Sequence, residues 1–355
     1  NLLAISPAIS YAIARKALIH NLNCSLEYAP MNFGKLNFSL GNTSADYAGD
    51  KGPAGIGDTY MSLIYAENLA SFYQKRYFSV ENGIEPINGL MFRVGAYYEK
   101  RNDLTNNTSY SFFGGKPASN TPHGQQNAMP NHSVYKSRLE LGYTPRRYYT
   151  IRNGRKYKRD SAFPTIALGY TLALNPDVKH ITDEDRTPTF DMLELSVYQD
   201  IKLSLFDRFN YFLNAGKYLS GQPKYLPDYK HFATVESFFT SHSLNNTFAR
   251  MDNYRYATNN KWMQAHLTWT SDYLLIKRLP FLQRYLFDEA LHVRTLWTPQ
   301  IIHSEAGYSV GFGNFGRAGL FVTYEKNSEK GDKNLKFNGI GISLSSPISS
   351  LFKLF

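Results

Sequence analysis

The sequence predicts an antiparallel transmembrane β-barrel of about twelve strands, within a range of roughly 12 to 16. Three observations predict it. Segments of about ten residues, the length of a tilted spanning strand, alternate apolar and polar side chains. Aromatic residues are abundant, with 27 Tyr, 24 Phe and 3 Trp in 355 residues, and interfacial girdles use many of them. No run of about 18 apolar residues occurs to form a membrane-crossing helix.

The alternation is clearest from Leu90 onward. Leu90, Phe92, Val94, Ala96 and Tyr98 share one face, opposite Met91, Arg93, Gly95, Tyr97 and Glu99. Leu139, Leu141 and Tyr143 oppose Arg138, Glu140 and Gly142. Ile166, Leu168, Tyr170, Leu172 and Leu174 oppose Ala167, Gly169, Thr171 and Ala173. Leu193, Leu195 and Val197 oppose Glu194, Ser196 and Tyr198. Met263, Ala265, Leu267 and Trp269 oppose Gln264, His266 and Thr268, and Leu291 and Val293 oppose His292 and Arg294. Ala306, Tyr308 and Val310 oppose Glu305, Gly307 and Ser309. Ala318, Leu320 and Val322 oppose Arg317, Gly319 and Phe321, and Ile340, Ile342 and Leu344 oppose Gly339, Gly341 and Ser343. Before Leu90 the pattern weakens, with Leu18–Tyr28 and Phe33–Leu40 the plausible strands.

A soluble sandwich also alternates. Connection lengths favour the barrel, because external loops are long and periplasmic turns short. With Phe355 periplasmic, Lys326–Lys336, Ser220–Asn260, Asn175–Thr189 and Asn102–Ser133 fall outside. The turns Gly313–Phe315 and Leu203–Phe206 fall inside. Two connections on the periplasmic side read equally as short amphipathic helical pieces at the interface or as loops that plug the barrel mouth. Asp58–Ser79 carries Met61, Tyr65, Leu69, Phe72 and Tyr77 at helical spacing, and Tyr273–Phe287 is apolar and basic. The chain reads as one barrel domain over 1–355. No charged-then-apolar leader follows Asn1, so it is expected to be mature or the C-terminal part of a longer protein.

Little chemistry is encoded. The lone Cys24 excludes a disulfide framework and a cysteine metal site. None of the nine His stands at a ligand-pair spacing, so no metal and no cofactor is expected. Thr182-Asp183-Glu184-Asp185 could offer calcium several oxygens, but it lacks the glycine of an EF-hand loop. Gly311-Phe-Gly-Asn-Phe-Gly316 joins two strands rather than a strand and a helix, so a nucleotide site is not expected. The net charge of +10 is scattered rather than clustered, so nucleic acid is not the expected partner. Outer-membrane lipid and lipopolysaccharide phosphates are.

The informative set is the charged inward face: Arg93, Glu99, Arg138, Glu140, Glu194, Arg208, His266, Arg294, Glu305 and Arg317. His266 and His292 read as partners of lumen carboxylates. Five Arg against four Glu nearly balance, and buried charge is costly unless paired. The expected interior is therefore closed by ion pairs. A selective pore is the alternative, and a Ser/His/acid hydrolase site built from His266, Ser309 and Glu305 a distant third.

Phe248-Ala-Arg-Met-Asp-Asn-Tyr-Arg-Tyr-Ala-Thr258, Ala265-His266, Lys277-Arg-Leu-Pro-Phe-Leu-Gln-Arg-Tyr-Leu286 and Glu305-Ala-Gly307 with Gly311, Asn314 and Arg317 form a distinctive series. So do Asn88-Gly89-Leu90, Tyr98-Glu-Lys-Arg101 and Asn106-Asn-Thr-Ser-Tyr-Ser111. From about Gly34 onward the chain resembles the C-terminal barrel of a family of Bacteroidetes outer-membrane proteins carrying a carboxypeptidase-regulatory-like domain. The resemblance implies a barrel of unassigned function, an N-terminal sandwich domain lying outside this sequence, and no peptidase. It is also distantly similar to the BamA-like superfamily of surface antigens and insertases. That superfamily carries an Arg-Gly-Phe or Arg-Gly-Tyr tip on an inward-folded loop. Neither tripeptide occurs here, which argues against insertase activity. The expected function is a non-enzymatic barrel of the bacterial outer membrane, structural or accessory to an outer-membrane protein assembly or surface complex. Its expected partners are other outer-membrane proteins.

Overall fold

The computed structural model describes residues 2–13, 15–52, 55–105, 110–113, 120, 122, 129–174, 189–234, 239–240, 246–252, 254–312, 317–327 and 344–345. Thirteen long strands pair in sequence order, each antiparallel to the next, in a meander. They are β1 (Leu2–Ala12), β2 (Ala17–Ala29), β3 (Gly34–Asp46), β4 (Phe72–Ile87), β5 (Leu90–Asp103) and β6 (His132–Tyr143), then, past a short hairpin, β9 (Thr165–Leu174), β10 (Phe190–Lys202) and β11 (Asp207–Tyr218). β13 (Lys261–Ser271), β14 (Asp288–Trp297), β15 (Ile301–Gly311) and β16 (Arg317–Asn327) follow. The hairpin is β7 (Tyr149–Arg152) with β8 (Arg155–Lys158). The two-residue β12 (Phe239–Thr240) and β17 (Leu344–Ser345) sit beyond β16 in the same sheet. The thirteen fall within the expected range. Ile340 and Ile342 lie outside the described residues, as do 175–188, which include the candidate calcium ligands.

Register fixes the faces. Leu141 stands opposite Leu168, and Leu168 opposite Leu195, in neighbouring strands. These three are 39%, 42% and 45% exposed and form part of an apolar outward band. On β13 the alternation is sharp: Trp262, Gln264, His266 and Thr268 are buried, while Met263 and Trp269 are exposed. The faces of β14, β15 and β16 match the expected ones in the same way. The β4–β5 turn is the tight Asn88-Gly89 pair, where Gly89 takes φ +85° and a Cβ would strike the Thr144 carbonyl oxygen at 2.3 Å.

The sheet curls around a piece of its own chain. Tyr254, in the β11–β13 connection, donates its hydroxyl to Asp46 at the end of β3 (2.9 Å) and accepts the Ser71 amide before β4 (2.8 Å). The same connection meets Glu305 on β15 through Ala249 and Arg250. β3 and β15 are far apart in sheet order, so one loop touching both requires a rolled sheet. No described helix is long and apolar enough to cross a membrane.

One expectation is corrected. The segment 58–79 does not form a single interfacial piece on the short-turn end. A helix, α1, covers Gly55–Tyr65, and Phe72 already begins β4. That extra strand reverses the parity and places α1 at the same end as the connections 104–131 and 219–260. Phe112 and Phe113 of the 104–131 connection donate their amides to the Leu63 and Ile64 carbonyls at the last turn of α1 (2.8 and 3.1 Å). The counterpart connection, 272–287, does lie at the short-turn end, with only a 3-10 turn at Ile276–Arg278.

Candidate functional site: a lumen filled by its own chain

The β11–β13 connection was expected as an exposed external loop. It folds inward instead, because its apolar side chains find a dry wall. Phe232, Phe248, Met251 and Tyr256 pack against the inward residues Val134, Ala173, Tyr218, Trp262 and Leu296, and Phe248 and Leu296 are wholly buried. Tyr225, Leu226 and Tyr254 form a second cluster with Tyr47, Tyr73 and Met129. The connection's segment Phe248–Met251, buried except for Arg250, opens the distinctive series noted in the sequence.

Carboxylates bolt this plug to the wall. Glu305 accepts the amides of Ala249 (2.7 Å) and Arg250 (2.8 Å), and also Arg294 Nη1 (3.1 Å). His303 Nε2 lies 3.0 Å from its other oxygen. Burying these charges is tolerable only because every lone pair is used. A second bolt runs from the plug to the wall. Arg101 grips Asp228 through two bonds (2.8 and 2.9 Å), and Glu99 accepts from the same guanidinium at 2.7 and 2.9 Å. Lys136 adds 2.6 Å to Asp228, and Lys75 3.0 Å to Glu99. Burial alone would raise the Asp228 carboxyl, but Arg101 and Lys136 outweigh it and hold the group well below the usual carboxylate range. Lys230 pairs with Glu194 and lies 5.2 Å from the Trp262 ring. Burial pushes the neighbouring His231 down to about 4, so it is neutral at pH 7. Its Nε2 donates to the Leu226 carbonyl at 2.8 Å.

The other expected lumen residues distribute unevenly. Arg93 pairs with Glu140; Arg138 lies 3.4 Å from the same carboxylate and 3.9 Å from Glu194. Arg317 pairs with Asp288 and donates to Ser309 at 3.0 Å. Arg208 is exposed at the start of β11, opposite Thr270 and Lys202, and stands apart from the network. His266 and His292 were expected to partner carboxylates. His266 bonds Gln264 (3.2 Å) and packs against Phe248 with the rings tilted by 58°, while His292 bonds Ser309 (2.7 Å) and Thr268 (3.1 Å). The carboxylate partner of a histidine is Glu305, with His303. The hydrolase set is therefore not assembled: Ser309 meets His292 instead of His266, and a hydroxyl, not a carboxylate, faces the far ring nitrogen.

Sequence reasoning missed Arg101, Lys136, Asp228, Lys230 and His303. Arg101 and Lys136 lie near strand ends, and Asp228 and Lys230 lie in the inserted connection. One available signal was the density of Phe, Met and Tyr between Phe248 and Tyr256, more than a solvated loop needs. Glu289, also missed, repeats the Glu305 device at the opposite end. It accepts the amides of Ile276 (3.1 Å) and Lys277 (2.6 Å) and the Tyr308 hydroxyl (2.7 Å). Among the described residues no group of His, Cys, Asp and Glu could hold a metal ion.

Among the described residues lie cavities of about 770 and 870 Å³. The first lies at the short-turn end, among β2 to β6 and the β7–β8 hairpin. The second lies under the plug. Tyr97 and Arg138 line both.

Comparison with known proteins gives one sequence-level match. A family model described as "Family of unknown function (DUF5686) C-terminal domain" matches residues 1–310. No curated protein matches. Among solved structures the chain is similar to BamA from Haemophilus ducreyi lacking POTRA domains 1–3. The identity is 12% and the TM-score 0.47, covering 92% of this chain and 60% of that one. It is also similar to the P. putida toluene transporter TodX, at 8% identity and TM-score 0.24, covering 91% of this chain and 81% of that one.

Proposed function

The chain belongs to the C-terminal domain family DUF5686, whose function is unassigned, and on that footing we propose that it is a non-enzymatic β-barrel of the bacterial outer membrane. It serves as a structural or accessory component of an outer-membrane protein assembly or surface complex. The short turns and Phe355 face the periplasm, and the connections 104–131 and 219–260 mark the external end. Lipid and lipopolysaccharide surround the outward band, and other outer-membrane proteins bind the rim. A Bacteroidetes origin and a preceding carboxypeptidase-regulatory-like domain are part of the same reading.

The observation that carries it is the plug. A lumen mouth filled by the chain's own Phe248–Met251 and bolted through Glu305 and Asp228 suits a barrel that works through its rim and outer wall. The test is cross-linking in native outer membranes, followed by capture of the whole protein. Recovery of one outer-membrane protein in fixed stoichiometry supports the role; recovery of the barrel with lipid alone contradicts it.

One observation favours a second reading, a channel or uptake barrel. The two cavities meet at Tyr97 and Arg138, so displacement of the plug would join the second to the outside. That reading expects conductance that depends on plug position.

A further inference from the structure

The cavity at the short-turn end is lined by six cationic side chains. Arg93 and Arg138 project from β5 and β6, Lys35 from β3, and Arg155, Lys156 and Lys158 from the β7–β8 hairpin folded across the mouth. Their carboxylate partners are too few. Glu140 serves both Arg93 and Arg138, and Glu194, 3.9 Å from Arg138, is already held by Lys230. Glu85, wholly buried, serves both Lys156 and Lys158. Glu27 pairs with Arg155, and Glu81 is engaged by the Tyr97 hydroxyl at 2.7 Å. Six cations against four carboxylates leave a surplus of two positive charges.

The surplus also faces the right way. The Arg93 side chain is 55% exposed against 22% for Glu140, Arg155 45% against 33% for Glu27, and Lys158 30% against 0% for Glu85. In each pair the cation is the more exposed partner, while Glu27, Glu81 and Glu140 also line the cavity. Phe33 supports the lysine stems, with Lys158 Nζ 4.4 Å from its ring centroid. A concave wall of net positive charge, backed by low-dielectric strands, concentrates its field on whatever enters.

We propose that this mouth of the lumen is a binding site for a phosphate-bearing ligand. A phosphate monoester carries about −1.5 to −2 charges at neutral pH and three strong acceptor oxygens, which matches a surplus of two; a carboxylate supplies half that. Guanidinium forks suit such oxygens better than ammonium groups do, and three of the six cations are arginine. A free phosphate monoester and the monoester headgroup of a phosphatidic acid share this chemistry. The inference goes beyond the structural role proposed above and holds whether or not that role does.

Isothermal titration of the full chain in an uncharged detergent tests it, with glycerol 3-phosphate and dihexanoyl phosphatidic acid as probes and dihexanoyl phosphatidylcholine as the control. The expected result is one binding event for at least one probe, weakened tenfold or more in Arg155→Gln/Lys158→Gln and weakened by added salt. Arg155→Lys should retain it. Both replaced residues lie outside the spanning strands, and the heat-dependent gel shift of the barrel reports folding. If the double variant fails that check, the two single variants replace it. Binding of the free ester alone assigns a soluble phosphate, and binding of the lipid alone assigns a headgroup; either upholds the site. The proposal is overturned by three outcomes: neither probe binding, affinities unchanged in the variants, or phosphatidylcholine binding as tightly as phosphatidic acid.

Discussion

The two mouths of the barrel use the same pair chemistry in opposite ways. At the plugged mouth Arg294 and Glu305 are wholly buried, and Arg101 and Asp228 nearly so, at 1% and 0%. At the short-turn mouth Arg93 and Glu140 stand 55% and 22% exposed around an open cavity. A buried pair cannot lose one partner cheaply, because the survivor keeps its desolvation cost. An exposed pair can, because water takes the partner's place. Burial, more than the identity of the residues, separates a fastener from a ligand-facing surface.

The largest expected effect follows directly. Glu305→Ala leaves Arg294 buried without its carboxylate and frees the Ala249 and Arg250 amides. It should cost about 3–5 kcal/mol, read by urea unfolding in lipid or detergent. Glu140→Ala at the other mouth should cost under about 1 kcal/mol. Equal losses would break the comparison.

The outward band gives the next effect. Leu168→Arg or Leu195→Arg should cost about 2–4 kcal/mol, as for a charge near a bilayer midplane. Arg at the inward neighbours Thr171 or Ser196 should cost less in the same unfolding assay. A similar penalty on both faces would mean that the inward face is as dry as lipid.

Acid should loosen the plugged mouth first. His231 titrates near 6.5 when unfolded, and burial lowers it to about 4 in place. The folded form therefore holds fewer protons, and stability is lost as pH falls from about 6.5 to about 4, by at most about 3 kcal/mol. Protease sensitivity of the 219–260 connection, followed across that range, should rise in the wild type and rise less in His231→Phe. Identical pH profiles would remove His231 from the account. The neighbouring Asp228 is held ionised below this window and does not contribute to it.

Protease also separates the connections at neutral pH. On intact cells, cleavage should fall in the 104–131 connection, where Phe113 is 82% exposed, and spare Phe248–Met251. Cleavage only after the outer membrane is permeabilised would reverse the proposed orientation.

How legible these regions were in the sequence differs for physical reasons. From β5 onward most strands lie across the apolar band, so each outward position is selected for lipid and the alternation shows. β4 was hidden because it runs past the band. Gln74 and Arg76 lie on its outward face beyond lipid, and Gln74 bonds Asn42 at 2.8 Å in a polar row. β1 was hidden by Pro7, which reads against a strand, although Pro is tolerated at a sheet's edge. The inward charges were legible as a set, but not their pairing. Arg294 with Glu305 is cross-strand and could be read from register. Arg101 with Asp228 spans 127 residues through a connection without periodicity. The plug itself was hidden by its place in the chain, since a long connection between strands reads as an external loop until its aromatic content is weighed.

The central claim is that the chain closes its own lumen at one mouth, and single-channel recording in planar bilayers tests it most directly. The purified wild-type protein should show no stable conducting state. Glu305→Ala, by releasing Phe248–Met251 from the wall, should show intermittent openings. Regular, long-lived conductance steps from the wild type would contradict the closed lumen and establish the channel reading in its place.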